Sequence, residues 1–206
     1  MAISYPLSLP SSPGLRRLTI RPSAVVGVSE SKFTNIQQSQ TFQGQKWALD
    51  MELFLPKRAT AEPWLAFILS LNGREGTFYA GDTVATSIRG NASGTVRVKG
   101  GSQTGDQLTV DGLPTSTNNV FLQGDYIQLG SGTDTRLYKI LEDANTDING
   151  ETTLTIWPDL RSSPNDNDIV TYSDTVGVFR LDSNIMPWQW RAPQRAPLQI
   201  SASEAL

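Results

Sequence analysis

Asp125-Tyr126-Ile127-Gln128-Leu129-Gly130-Ser131-Gly132-Thr133-Asp134-Thr135-Arg136-Leu137-Tyr138-Lys139-Ile140-Leu141 decides the fold. Over residues 125–129, Tyr126 and Gln128 alternate with Ile127 and Leu129. Successive side chains on a strand point to opposite faces, so this period-2 pattern predicts a strand. The Gly130–Asp134 run is a hairpin loop. A second strand follows over 136–141, with Leu137 and Tyr138 on opposite faces. Working outward, residues 143–150 form another turn. Residues 151–157 return, with Thr153, Thr155 and Trp157 opposite Leu154 and Ile156. Residues 95–99 and 168–172 are further strand candidates. Five or six short strands in about 80 residues imply a small closed barrel, in the manner of an OB fold.

Charge separates this segment from the rest. The chain has 206 residues, with 17 Lys+Arg and 20 Asp+Glu. Residues 86–174 carry 6 basic and 12 acidic side chains, net −6. Residues 1–85 are net +2 and residues 175–206 net +1. Gly90-Asn91-Ala92-Ser93-Gly94 and Arg161-Ser162-Ser163-Pro164-Asn165-Asp166-Asn167-Asp168 are polar loops at the two edges, where domains begin and end. The expectation is one domain from residues 1–88 and 174–206, with residues 89–173 inserted as a second, acidic β-barrel.

The outer segments read as strands around one helix. Thr60-Ala61-Glu62-Pro63 suits a first helical turn, where proline is tolerated. Trp64, Leu65, Ile68 and Leu71 then recur at helical spacing and predict a buried stripe. Asn72-Gly73 supplies a left-handed stop, placing the helix near 60–72. Strands are expected over 17–22, 46–55, 77–79, 178–181 and 198–202, with Trp188-Gln189-Trp190 also extended. Gly, Pro, Ser, Thr and Asn make up 79 residues, too many for a helical bundle. The fold class is therefore mainly β with one α-helix.

Several chemistries are excluded by residue type. With no Cys there is no disulfide or thiolate, and with no His there is no imidazole base or His-bound metal. Asp143, Asn145 and Asp147 imitate the first positions of a calcium loop. The required Gly and Glu are replaced by Ile148 and Leu154, so the segment reads as an Asn-Gly turn. Gly100-Gly101-Ser102-Gln103-Thr104-Gly105-Asp106 lacks both phosphate-loop and dinucleotide spacing and reads as a tight turn. Asp125, Glu142, Asp143, Glu151 and Asp159 form no pair by spacing that would mark a glycosidase. The acidic middle opposes phosphate binding. These points predict no enzyme, no cofactor and no metal. The longest nearly apolar run, Trp64–Leu71, is too short to cross a bilayer. Met1-Ala2-Ile3-Ser4-Tyr5-Pro6 does not resemble a signal peptide, so synthesis in a cytoplasm is expected.

The tryptophans are the remaining candidates. Trp47, Trp188 and Trp190 are read as interface residues, since Trp and Arg are enriched at subunit contacts. Trp188 and Trp190 would share one face of a strand. Tyr126 and Trp157, on the inserted barrel, are the candidates for a glycan platform.

Other stretches carry a resemblance. They are Gly14-Leu15-Arg16-Arg17-Leu18-Thr19-Ile20-Arg21-Pro22, Gln43-Gly44-Gln45-Lys46-Trp47, and Trp64 through Phe78 with its Asn72-Gly73-Arg74-Glu75-Gly76 turn. In the middle segment they are Gly124 through Gly130, Arg136 through Ile140, and Thr153-Leu154-Thr155-Ile156-Trp157-Pro158-Asp159-Leu160-Arg161. Together the chain resembles distal tail proteins of long-tailed, non-contractile bacteriophages. The resemblance implies a virion protein of the tail tip, made in the host cytoplasm. It implies a β-sandwich or split-barrel belt domain that builds a six-fold ring, with an OB-like barrel projecting outward. The implied partners are copies of itself, the tail tube protein and tail hub or tip proteins. DNA would pass through the lumen without specific binding, and no membrane insertion is implied. Another tail-tip subunit and a host-glycan module are the rival readings.

Overall fold

A computed structural model describes residues 3–11, 15–55, 57–190 and 196–206. Met1, Ala2 and Gly14 of the stretches above lie outside these residues. The chain is mainly β with one helix, in two antiparallel sheets.

The first sheet takes strands from both ends of the chain. Its order is β1 (Leu15–Glu30), β2 (Gln37–Leu55), β10 (Ala196–Glu204), β9 (Gly177–Leu181) and β3 (Thr77–Ala80). Leu49, Met51, Leu53 and Leu55 alternate along β2 and are all buried, as are Leu198, Ile200 and Ala202 on β10. That shared face carries the helix α1 (Arg58–Ser70). Trp64, Leu65, Ile68 and Leu71 are buried as the helical spacing predicts, joined by Phe67. The helix starts two residues earlier than expected, because the Thr60 and Ala61 amides already bond the Lys57 carbonyl at 3.1 Å. Pro63 therefore falls in the second turn and has no N–H to offer Ala59. Asn72 and Gly73 both adopt positive φ, as the stop requires.

The second sheet is a curled half-barrel. Its order is β4 (Arg97–Val98), β5 (Gln107–Asp111), β8 (Thr152–Trp157), β7 (Arg136–Ile140) and β6 (Tyr126–Leu129). A 3-10 turn, Gly132–Asp134, caps the β6–β7 hairpin. The expected strand over 168–172 is instead a strap across the open side. Val98 N donates to Asp168 O at 2.9 Å and Val170 N to Val96 O at 3.0 Å, while Gln128 and Thr171 exchange bonds of 2.7 and 3.0 Å. Both edge strands thus gain a partner, which removes exposed backbone groups. The Gly-rich turn at 100–106 is closed by Gln103, whose amide bonds Lys99, Gly100 and Thr109. It leads into β5, a strand not anticipated although Leu108 and Val110 alternate with polar neighbours and are fully buried.

The larger departure is the length of the β1–β2 hairpin. Beyond the expected 17–22 and 46–55, the two strands continue in register to Glu30↔Gln37. β10 pairs β2 only from Ala48 to Leu55. The outer half of the hairpin is thus a two-stranded arm projecting past the sheet.

Candidate functional surface: the arm and the seam

The arm begins at an irregularity. Pairing jumps from Ser23↔Lys46 to Val25↔Phe42, leaving Gln43, Gly44 and Gln45 opposite Ala24. Such an insertion bends a ribbon and re-aims side chains. Gly44 is required there, since a Cβ at this position would lie 2.5 Å from Val25 Cγ2. Gln45 is turned toward the half-barrel, where its Oε1 accepts from Asp159 N at 2.7 Å.

Past this bend neither outer edge of the ribbon has a strand partner among the described residues. Its large apolar side chains have no core to enter. Val25, Val26 and Phe42 are each about half exposed, and Val28 and Ile36 more so. Phe33 at the tip is 99% exposed. The tip turn is nonetheless well bonded: Asn35 N donates to Ser31 O at 2.8 Å and Ser31 N to Ile36 O at 3.0 Å. Val25 and Phe42 share one face of the ribbon and Val26 and Val28 the other, so both faces display apolar side chains of the kind that mark a contact site.

At the arm's root lies the seam between the two sheets. Trp47 is 3% exposed, and its Nε1 donates to Leu137 O at 2.9 Å. Its ring meets Trp157 edge-on at 4.4 Å between centroids and tilts against Tyr126 at 6.2 Å. Glu204, at the end of β10, accepts from Trp47 N at 3.2 Å and from Arg161 Nη2 at 2.7 Å. Arg161 N in turn donates to the buried Tyr138 hydroxyl at 3.2 Å. Burial pushes the Tyr138 phenol above the ordinary tyrosine range. Val176 N donates to Gln128 Oε1 at 3.0 Å on the same seam.

These positions revise the reading of the aromatics. Trp47 is sealed inside the chain, so it holds the two sheets together and has no surface to offer a subunit. Tyr126 is only 5% exposed, with Lys139 Nζ over its ring at 4.1 Å, so its face is not open to a sugar. Trp157 is half-buried against Trp47. Trp188 and Trp190 remain at the surface, about two-fifths exposed, but on an irregular segment after β9 and not on a strand.

The carboxylates serve local structure. Asp125 is buried and accepts from the Arg89, Gly90 and Leu122 amides at 2.9–3.2 Å, with the Arg89 guanidinium beside it. It pins the segment entering the half-barrel. Asp143 accepts from Gln123 N at 2.8 Å, and Glu142 from the Thr155 hydroxyl at 3.4 Å. Glu151 pairs with Lys99, and this hydrogen bond is the main reason that Lys99 is held above its usual range. Asp147 accepts from the Glu151 and Asn149 amides of its own turn, which hold it below the usual carboxylate range. Asp159 borders a polar cleft of about 490 Å³ at the arm's root, with Gln43, Gln45, Arg136 and Arg161. No described helix is long and apolar enough to cross a membrane.

Neither the family models nor the curated proteins compared with the chain give a match.

Proposed function

We propose that the chain is a structural virion protein that assembles into a ring joining the tail tube of a long-tailed phage to its tail tip. The observation that carries this reading is the arm: a ribbon with free edges and exposed apolar side chains, anchored rigidly at its root. An isolated two-stranded ribbon is marginal in water, so one that displays valines and phenylalanines is built to be covered. The sequence resemblance to distal tail proteins supplies the setting. In it the first sheet and α1 build the six-fold ring, and the half-barrel faces outward. The partners are copies of the chain, the tube protein and hub or tip proteins, with DNA passing through the lumen unbound. The work is assembly and involves no catalysis or cofactor.

Light scattering on size-separated protein, with negative-stain imaging, tests the proposal. Rings of six copies, formed by the chain alone or on addition of tail tubes, are the expected outcome. A chain that stays monomeric under both conditions refutes it. An assembly that never localises to the tube end in intact particles refutes the assignment to the tail tip.

A further inference from the structure

A groove of about 450 Å³ lies beside β1, far from the arm's tip. Leu18, Ile20 and the buried Tyr126 line its inner wall, and Val84 stands 90% exposed on its rim. Arg16, Arg17 and Asp82 also border it; Arg16 pairs with Glu52, while Arg17 and Asp82 take part in no ion pair among the described residues. Asp82 Oδ1 accepts from Val84 N at 3.0 Å, which fixes the rim loop.

We infer that the Phe33 tip of one copy seats in this groove on the next copy, with Lys32 toward Asp82 and Glu30 toward Arg17. The inference rests on the ring reading and names the contact that builds it. Tip and groove match in two respects. The tip offers one large aromatic ring on a bonded turn, and the groove offers the half-buried Leu18 and Ile20 between the charged Arg17 and Asp82. A preorganised anchor loses little entropy on docking. The tip's only two charges, Glu30 and Lys32, are opposite in sign to the groove's Arg17 and Asp82. Electrostatic complementarity of this kind sets register.

Geometry excludes the chain's own tip as occupant. Leu18 and Glu30 are twelve positions apart on one continuous strand, about 40 Å at the ordinary strand rise. The ribbon is paired with β2 on both sides of the bend and cannot fold back on itself. A tip that fits a different surface on a second copy makes a head-to-tail contact. Such contacts close into rings when the rotation allows.

The absence of native cysteine makes a direct test clean. Phe33→Cys protein mixed with Val84→Cys protein, under mild oxidation, is expected to give a disulfide-linked heterodimer. Each variant alone should give far less. Both positions are exposed, so neither change touches the core. In solution, Phe33→Asp is expected to weaken self-association about 30-fold or more, as loss of a buried aromatic anchor does. Lys32→Asp and Asp82→Lys should each weaken it about tenfold, and the double exchange should restore it. Rings that persist unchanged in Phe33→Asp, without the 33–84 cross-link, overturn the docking contact and leave the ring reading standing. Position 33 cross-linking to a different tail protein, and not to position 84, also overturns it. A wild-type chain that forms no rings, together with Phe33→Cys and Val84→Cys proteins that give no cross-link, overturns both.

Discussion

Replacing Arg161 by Met should unfold the seam more readily than any surface change. The magnitude follows from what is left behind. In the wild type, the Arg161 and Glu204 side chains are 14% and 2% exposed, and the guanidinium gives Glu204 two contacts, at 2.7 and 3.4 Å. Arg161→Met removes both and leaves the Glu204 carboxylate buried with one remaining donor, the Trp47 amide. Breaking one half of a buried pair costs about 3–5 kcal/mol, because a charge stays desolvated without its partner. That is a large share of a total stability of about 5–15 kcal/mol. The urea midpoint should fall by about 1 M or more, given slopes of about 1–3 kcal/mol/M. Glu204→Leu alone should cost a comparable amount, since it strands the Arg161 charge. Arg161→Met with Glu204→Leu should lie within about 2 kcal/mol of wild type, because an apolar pair of similar volume often substitutes for a buried ion pair. The assay is urea unfolding followed by tryptophan fluorescence at one fixed, low protein concentration, so that self-association does not shift the midpoint. A cost under about 1 kcal/mol for Arg161→Met, or additive single costs in the double variant, would show that water reaches Glu204 and that the seam is not dry.

Three further outcomes test other parts of the structure. Asp125→Ala orphans three partly buried amides, so it should destabilise by about 1–3 kcal/mol and speed hydrogen exchange at Gly90 and Leu122 before the half-barrel core exchanges. Tyr138 has its phenol raised by burial, so its contribution is intact below about pH 10 and is lost as the pH climbs from there toward the raised native value; Tyr138→Phe should flatten stability against pH in that alkaline range, read by urea midpoints. Gly44→Ala should cost about 1–3 kcal/mol by forcing Cβ against Val25, and Val25→Ala in the same chain should recover most of it; an unchanged urea midpoint for Gly44→Ala alone would mean that the crossing at the arm's root is loose.

The elements legible in the sequence are those with one buried face. Tyr126 through Leu129 and Thr152 through Trp157 alternate because one side of each packs into a core, and the helix stripe from Trp64 to Leu71 has the same origin. β5 carries the same signal in Leu108 and Val110, but it is short and follows directly on the turn-forming run at 100–106. The arm carried no such signal for a physical reason. Every residue from Ala24 to Glu30 and from Gln37 to Gln43 is exposed, so no alternation between core and solvent exists to be read. Residues 168–172 resembled a strand since they do bond like one, but to two different edges at single points. The tryptophans failed differently. Trp47 is a buried strand residue by pattern, yet its hydrogen-bond partner, Leu137 O, is 90 residues away, and only the packing of one sheet on the other reveals it. A spacing of two puts Trp188 and Trp190 on a common face only on a strand, and their segment is irregular.

The split in charge gains a role once the arm is seen. A ribbon with free edges and exposed valines is an aggregation hazard, because any other edge can pair with it. The usual protection is charge, and between Pro22 and Gln45 the arm carries only Glu30 and Lys32. Its remaining polar positions are mostly Gln, Ser and Thr, which keep the ribbon soluble without repelling a partner. Protection has to come from elsewhere, and the half-barrel segment supplies it with a net charge of −6. The seam makes this effective: Trp47, Gln45 and Arg161 fix the acidic half-barrel at the arm's root. Random encounters between copies then bring acidic surfaces together, and repulsion opposes them over the ~8 Å Debye length of physiological salt. An aligned tip-to-groove encounter places opposite charges together at Lys32 with Asp82 and Glu30 with Arg17. Under the proposed docking, the net charge of −6 biases the arm toward that one contact.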